Sequence, residues 1–367
     1  MAIDIVTSPP PEALPDRPQV KHALVRVWRD PDTLQFGSGA GAWLLRDLTP
    51  ALKRVLGLCD GTRSRGAVLA EAEAAGVPRA HATQFIGTLT NAGVLEDASS
   101  GDRRLRDIAL ADRERLEPER AALSLAGAGP GGTATALARR CEAWVEIDGE
   151  ARIIPLIAGL FAAAGVGHVT ATSTDEMTVY DAIPGGPHGS ARPRRVAEAV
   201  SDAVRAAANA GAAVAPEEPA VPDLRILAER GPVIDPLRAR IAMADGVPVL
   251  AVHARELTGV VGPLVLAGRG ACLHCLDLHR ADRDEHWPLV AAQLANRRLL
   301  QPQPVSLLAI LAGYVVAQGL AVLDGDASIA THNGTLEITS PDWRVRRRGW
   351  TAHPECGCNW PQGTEFE

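Results

Sequence analysis

The chain has 367 residues, 46% of them hydrophobic, and a formal net charge of −7. Its length allows two domains with separate cores, its apolar share is that of an ordinary globular protein, and its acidic balance argues against a nucleic-acid partner. The opening MAIDIVTSPPPEALPDRP lacks the charged and apolar regions of a secretory signal, and six cysteines suit a reducing cytoplasm.

Residues 1–18 are rich in proline and polar groups and are predicted to be disordered. Residues 19–100 read as a small module. Val25 to Trp28, Thr33 to Phe36 and Gly41 to Leu48 suggest three short strands, separated by Asp-Pro and Gly-Ser-Gly turns. Thr49-Pro50 is an N-cap followed by proline at the first helical position. Leu52, Val55, Leu56 and Cys59 then recur at helical spacing. Two more helices are expected from Ser64 to Ala75 and from Pro78 to Ala92, followed by a Val94-Leu95 strand. The order predicts a winged-helix-like unit.

Residues 101–136 form a connector, first charged and helix-prone, then Gly/Ala-rich and flexible. The larger domain, 137–367, opens with a strand at Ala143 to Ile147, a helix at Ala151 to Ala164 and a strand at His168 to Thr172. This is a βαβ unit of a Rossmann-like sheet. Strands are further expected at 224–227, 247–252 and 264–266, with helices at 193–210 and 235–245. The apolar run from Val305 to Leu323 approaches membrane length but carries Ser306, Gln318 and two glycines, which predicts a buried helix and no membrane span. An antiparallel tail at 335–339 and 343–347 leads to the last cysteines.

A phosphate-binding turn needs glycines after the first strand, so that the backbone can approach a pyrophosphate. Here the loop reads Asp148-Gly149-Glu150-Ala151-Arg152, with one glycine where three are needed and carboxylates where phosphate would sit. Asp175, near the end of the next strand, is a weak ribose cue. Of 37 basic residues only Lys21 and Lys53 are lysines, so the larger domain has no phosphate or Schiff-base lysine. The loop is a degenerate nucleotide site, and ATP is not expected to bind.

Cys272-Leu273-His274-Cys275 and Cys356-Gly357-Cys358 form two tight pairs. Each suits half of a tetrahedral Zn²⁺ shell with sulfurs about 2.3 Å from the ion. One structural zinc per chain is predicted, clipping the tail to the domain body. The alternative is free or disulfide-linked thiols. Cys59 and Cys141 read as small buried residues. His274, His279 and His286 read as a solvated cluster, with a second metal or a general base as the alternative.

The order of these features is that of a known family. A βαβ opening, Gly165-Val166-Gly167, Gly246-Val247-Pro248-Val249, Gly259-Val260-Val261-Gly262-Pro263 and the two cysteine pairs resemble the ThiF/MoeB-type, ubiquitin-activating-enzyme-like fold over about residues 137–360. The N-terminal module, with Leu58-Cys59-Asp60-Gly61-Thr62-Arg63-Ser64 at its helix junction, is similar to PqqD-like recognition elements. Together they resemble ocin-ThiF-like leader-peptide-binding proteins, which work beside a separate YcaO cyclodehydratase in making azoline- and azole-bearing bacteriocins.

The resemblance implies a precursor leader peptide and a YcaO-type enzyme as partners, and leaves a homodimer open. It places the leader as an added strand along Trp43, Leu44, Leu45 and Arg46, facing Gln84, Thr88 and Asn91. The plainer reading makes Trp43 and Leu45 core residues. The expected function is a non-catalytic, leader-presenting subunit. The alternatives are an ATP-dependent adenylyltransferase acting on a peptide or protein C-terminus, and a scaffold for another protein.

Overall fold

The computed structural model describes residues 2–3, 14–39, 41–100, 108–127, 132–149, 152–173, 175–184, 194–208, 210–217, 220–295, 303–326 and 328–358. It divides into two compact units, Met1–Ala138 and Arg139–Glu367.

In the first unit, Thr49 caps α1 (Pro50–Leu58) by accepting the Leu52 N–H, and Ser64 caps α2 (Arg65–Ala74) by accepting that of Ala67. With α3 (Arg79–Asn91) they bury Val55, Val68, Phe85, Ile86 and Leu89. This core is closed by a sheet in which β4 (Thr33–Phe36) lies between β3 (Arg26–Asp30) and β5 (Trp43–Leu45), both antiparallel to it. A fourth strand, β1 (Ala2–Ile3), pairs parallel to β5, with Ala2 beside Leu44 and Ile3 beside Leu45.

Two expectations for this unit need correcting. Residues 14–18, expected to be disordered, are held in place. Asp97 accepts the N–H groups of Asp16 and Arg17, and β2 (Pro18–Val20) pairs with β6 (Leu95–Asp97). The connector holds three helices, α4 (Leu110–Arg115), α5 (Glu117–Ala126) and α6 (Gly132–Glu142). Its glycine-rich end therefore continues into a helix, except for residues 128–131, which lie outside the described set.

In the second unit β7 (Trp144–Gly149), α7 (Ile154–Ala163) and β8 (His168–Ala171) form the expected βαβ. The short strands β9 (Glu176–Met177) and β10 (Arg194–Arg195) pair with each other. Then follow α8 (Val196–Ala207), β11 (Leu224–Ala228), α9 (Pro236–Ala242), β12 (Val249–Arg255) and β13 (Thr258–Val265). The chain continues through α10 (Leu273–Ala281), α11 (Trp287–Ala295), α12 (Val305–Asp324), β14 (Gly334–Thr339) and β15 (Arg344–Gly349).

Seven strands join in the order β15-β14-β13-β12-β11-β7-β8. The pairs among β8, β7, β11 and β12 are parallel, and those from β12 to β15 are antiparallel. The near-continuous apolar runs of β11 and β12 fit strands buried on both faces. On one face Phe161, Val200, Leu311 and Val315, from α7, α8 and α12, pack on Ile147, Ile226 and Leu250. On the other, Ala239, Leu273 and Leu276 cover Leu227, Val249 and Ala251. By length and hydropathy α12 could cross a membrane, but its buried residues belong to this core. Arg140 grips the Asp324 carboxylate at its far end with two bonds, of 2.7 and 2.6 Å.

Candidate functional site

Three places bring functional chemistry together, and each lies within one unit.

In the first unit the edge of β5 is the peptide-binding candidate. Leu45 is fully buried, and both it and Trp43 belong to the module core, so the plainer reading holds for Leu45. Leu44 points to the opposite face, in register with Gln35, and is half-buried. Arg46 and Asn91 are exposed, and Gln84 is half-buried. Thr88 is only 3% exposed, and its hydroxyl donates to the Gln84 carbonyl 3.0 Å away. It is therefore taken up within its own helix. Of the expected residues, Arg46 and Asn91 are exposed and Leu44 and Gln84 partly so, and the backbone of β5 already carries a parallel strand on its outer side.

In the second unit the strand order reverses between β7 and β11. Their carboxyl ends form the crevice where open α/β sheets bind ligands. Gly149 lies there at φ +132°, and a Cβ on it would stand 1.8 Å from the Ala228 carbonyl oxygen. The glycine thus serves the close approach of two strands. Asp148 accepts the Thr172 hydroxyl at 3.1 Å and lies 3.8 Å from Arg238. Arg238 also reaches Glu229 at 3.3 Å. Arg152 donates to the carbonyls of Gln303 and Ala182, at 3.0 and 2.6 Å. Asp175 accepts the Ser173 hydroxyl at 3.0 Å, and Glu150 lies outside the described residues.

The described carboxylates and arginines of the crevice thus meet one another, nearby hydroxyls or backbone carbonyls. Sequence reading found Asp148 and Asp175 but missed Glu229 and Arg238. It also missed Arg230, which pairs with the buried Asp181 at 2.8 Å. No local motif announces these residues, because the topology alone brings them together.

The third place is the cysteine cluster. Cys272 is the N-cap of α10 and Cys275 lies in its first turn, where the helix dipole favours a thiolate. The four Sγ atoms of Cys272, Cys275, Cys356 and Cys358 all lie within 4.8 Å of one another. Sulfur separations of 3.7 Å (Cys272–Cys275) and 3.4 Å (Cys272–Cys356 and Cys275–Cys358) match the edges of about 3.8 Å in a tetrahedron with 2.3 Å arms. They are too long for disulfides, and all six cysteines are free. Burial alone would raise the Cys275 thiol, but N–H groups of His353 and Cys272 directed at its sulfur bring it below the ordinary value. Burial pushes Cys59, in the other unit, up to about 12, which leaves it an inert thiol.

Of the expected histidine cluster, His274 and His286 are exposed. His279 donates to the Thr351 carbonyl at 2.9 Å. His353 receives the Glu355 N–H on Nδ1, so its Nε2 proton points at Asp282, 3.0 Å away. These bonds fix the turn that carries Cys356.

No family model and no curated protein matches the sequence. Solved structures match in fold. The microcin C7 biosynthetic enzyme MccB in complex with N-formylated MccA is 13% identical, with a TM-score of 0.66, over 93% of this chain and 99% of that one. Escherichia coli MccB with ATP gives the same identity, coverage and score. PaaA is 17% identical, with a TM-score of 0.62, over 91% and 100%. At these identities the likeness is one of fold, and it agrees with the expected ThiF/MoeB-like α/β architecture.

Proposed function

We propose that the chain is a cytoplasmic, peptide-binding subunit of ribosomal-peptide modification. It holds a precursor's leader as a strand on β5 and presents the remainder to a YcaO-type cyclodehydratase. The observation that carries this reading is the outer edge of β5, which pairs in register with an added two-residue strand. Strand addition takes its affinity from the backbone and its selectivity from side chains. The solved complex of the similarly folded MccB with MccA supports a peptide partner. In this reading the module is PqqD-like, and the four cysteines hold one structural Zn²⁺ whose closed shell leaves no position for substrate.

The test is calorimetry with the leader peptide of the precursor encoded beside this gene. Leu44→Pro removes a backbone donor from β5, and should weaken binding about ten-fold or more. Leu44→Ala should stay within about three-fold. Arg46→Ala removes an exposed charge whose pairing contributes about 0.2–1 kcal/mol, and should cost a few-fold at most. Circular dichroism confirms that each variant is folded. Failure of the unaltered protein to bind the leader, with or without the YcaO enzyme, refutes the reading.

A second reading, adenylation of a peptide terminus, is favoured by the likeness to a structure solved with ATP. The crevice could then release Arg238 from Asp148 and Glu229 to meet phosphate. Pyrophosphate exchange that disappears in Arg238→Ala would make this the activity.

A further inference from the structure

The antiparallel half of the seven-stranded sheet carries a charge pattern that the overall −7 conceals. Register places Arg348, Arg346 and Arg344 of β15 on the same face as Thr335, Glu337 and Thr339 of β14. That face continues through Val260 and Thr258 of β13 to His253 and Arg255 of β12. Arg280 of α10 lines a cavity at one end, together with His253, Thr335 and Glu337.

The pairing within this face is incomplete. Arg255 lies 3.7 Å from Glu337, Arg280 3.1 Å from Asp277 and Arg344 3.4 Å from Asp342. Arg346 has no carboxylate partner among the described residues, and Arg348 lies 4.4 Å above the Trp350 ring. Burial first, and then the charges of Arg255 and Arg348, depress the Arg280 guanidinium despite its pairing with Asp277. Burial and the charges of Arg255 and Arg280 push the pKa of His253 down to about 3, and its Nδ1 has no hydrogen-bond partner among the described residues. The like charges of Arg255, Arg280 and Arg348 repel one another on this face, and an anionic partner would relieve the repulsion.

The shape of the face selects the anion. All six residues of β15 are exposed, and β15 ends the sheet, so its outer edge is unpaired among the described residues. Charge on an edge strand discourages self-pairing. Three arginines in a row repel a second β15 but attract a strand bearing carboxylates. Arg344, Arg346 and Arg348 alternate along the strand and so recur about every 6.8 Å, the spacing of acidic residues at every second position of another extended segment. Backbone pairing along the edge requires a peptide, because a nucleic acid offers no alternating N–H and C=O groups.

We propose that this face docks an extended acidic segment of a partner protein, added as a strand to the edge of β15, with its alternate carboxylates opposite Arg344, Arg346 and Arg348. The surface belongs to the second unit and β5 to the first, and the proposal does not depend on the leader-binding reading.

The experiment is fluorescence anisotropy with the full chain at low salt. The probes are a labelled peptide of about ten residues alternating Glu and Thr, a peptide of the same composition with its acids in one block, and an oligothymidylate of similar length. The alternating peptide should bind about five-fold or more tighter than the block peptide. Arg344→Glu with Arg346→Glu should weaken it about ten-fold or more, whereas Arg344→Lys with Arg346→Lys should stay within about three-fold. Unchanged thermal melting shows that these exposed substitutions leave the fold intact. Equal affinity for the two peptides overturns the proposal, as does indifference to charge reversal, equal loss with lysine, or tighter binding of the oligothymidylate.

Discussion

Cys275→Ser is expected to strip the metal from the second unit and to lower its stability by about 3 kcal/mol or more, which for a unit of this size is a fall of about 10 °C in Tm. Cys275 is fully buried at the start of α10, receives the His353 N–H at 3.3 Å and lies 3.4 Å from Cys358. Its sulfur therefore joins the helix to the last described turn of the chain. Without the ion, three thiols remain crowded together with no charge to organise them. The loss should stay below the full binding energy of a structural zinc, because the seven-stranded sheet has a core of its own. Elemental analysis should find about one zinc per chain in the unaltered protein and almost none in the variant. Cys59→Ser, in the other unit, is the control that should leave zinc content unchanged. A metal-free preparation melting at the same temperature as the zinc-loaded one would refute the site.

Gly149→Ala should be comparably damaging, at about 3 kcal/mol or more, for a reason unrelated to nucleotide. The new methyl would meet the Ala228 carbonyl at 1.8 Å, and the residue would have to hold φ +132°. Backbone strain of this kind and overpacking each cost about 1–3 kcal/mol. The measurement is the midpoint of chemical denaturation, which should fall sharply at unchanged slope. An unchanged midpoint would show that β7 and β11 approach less closely. Because this variant damages the fold, its loss of any nucleotide-dependent activity says nothing about phosphate contact. Arg238→Ala, on an adjacent helix, is the cleaner probe of the crevice.

The parts of the fold readable in the sequence were those with local causes. Thr49-Pro50 and Ser64 begin helices where expected because capping is a matter of one side chain and the next turn. The cysteine spacing foretold four sulfurs in one place. Where the cause was distant, the sequence was silent. The stretch Gly259-Val260-Val261-Gly262-Pro263 has the composition of a turn, yet it lies inside the eight-residue β13, where Gly259, Val260 and Val261 are paired on both sides. Residues 14–18 look disordered until Asp97, about eighty positions away, accepts their backbone N–H groups. The crevice is the same case: Asp148, Glu229 and Arg238 become neighbours only when β7 and β11 lie side by side.

The parallel strand Ala2–Ile3 occupies the edge of β5 on which we propose that the leader binds. A peptide that adds to β5 must first displace it, so the affinity measured on the full chain is a difference between two pairings. A tethered segment acts at an effective concentration of about millimolar, and two residues of pairing hold it weakly, so the handicap should be a few-fold. Deleting residues 1–13 should therefore tighten leader binding about two- to ten-fold, and should raise amide exchange on the outer side of β5 when no peptide is present. Unchanged affinity, with the leader still protecting those amides, would mean that the N-terminal strand is a bystander. Protection elsewhere would move the leader site itself. Selectivity in this module would then come from two sources: how well a leader fits β5, and whether it fits better than the sequence the protein already carries.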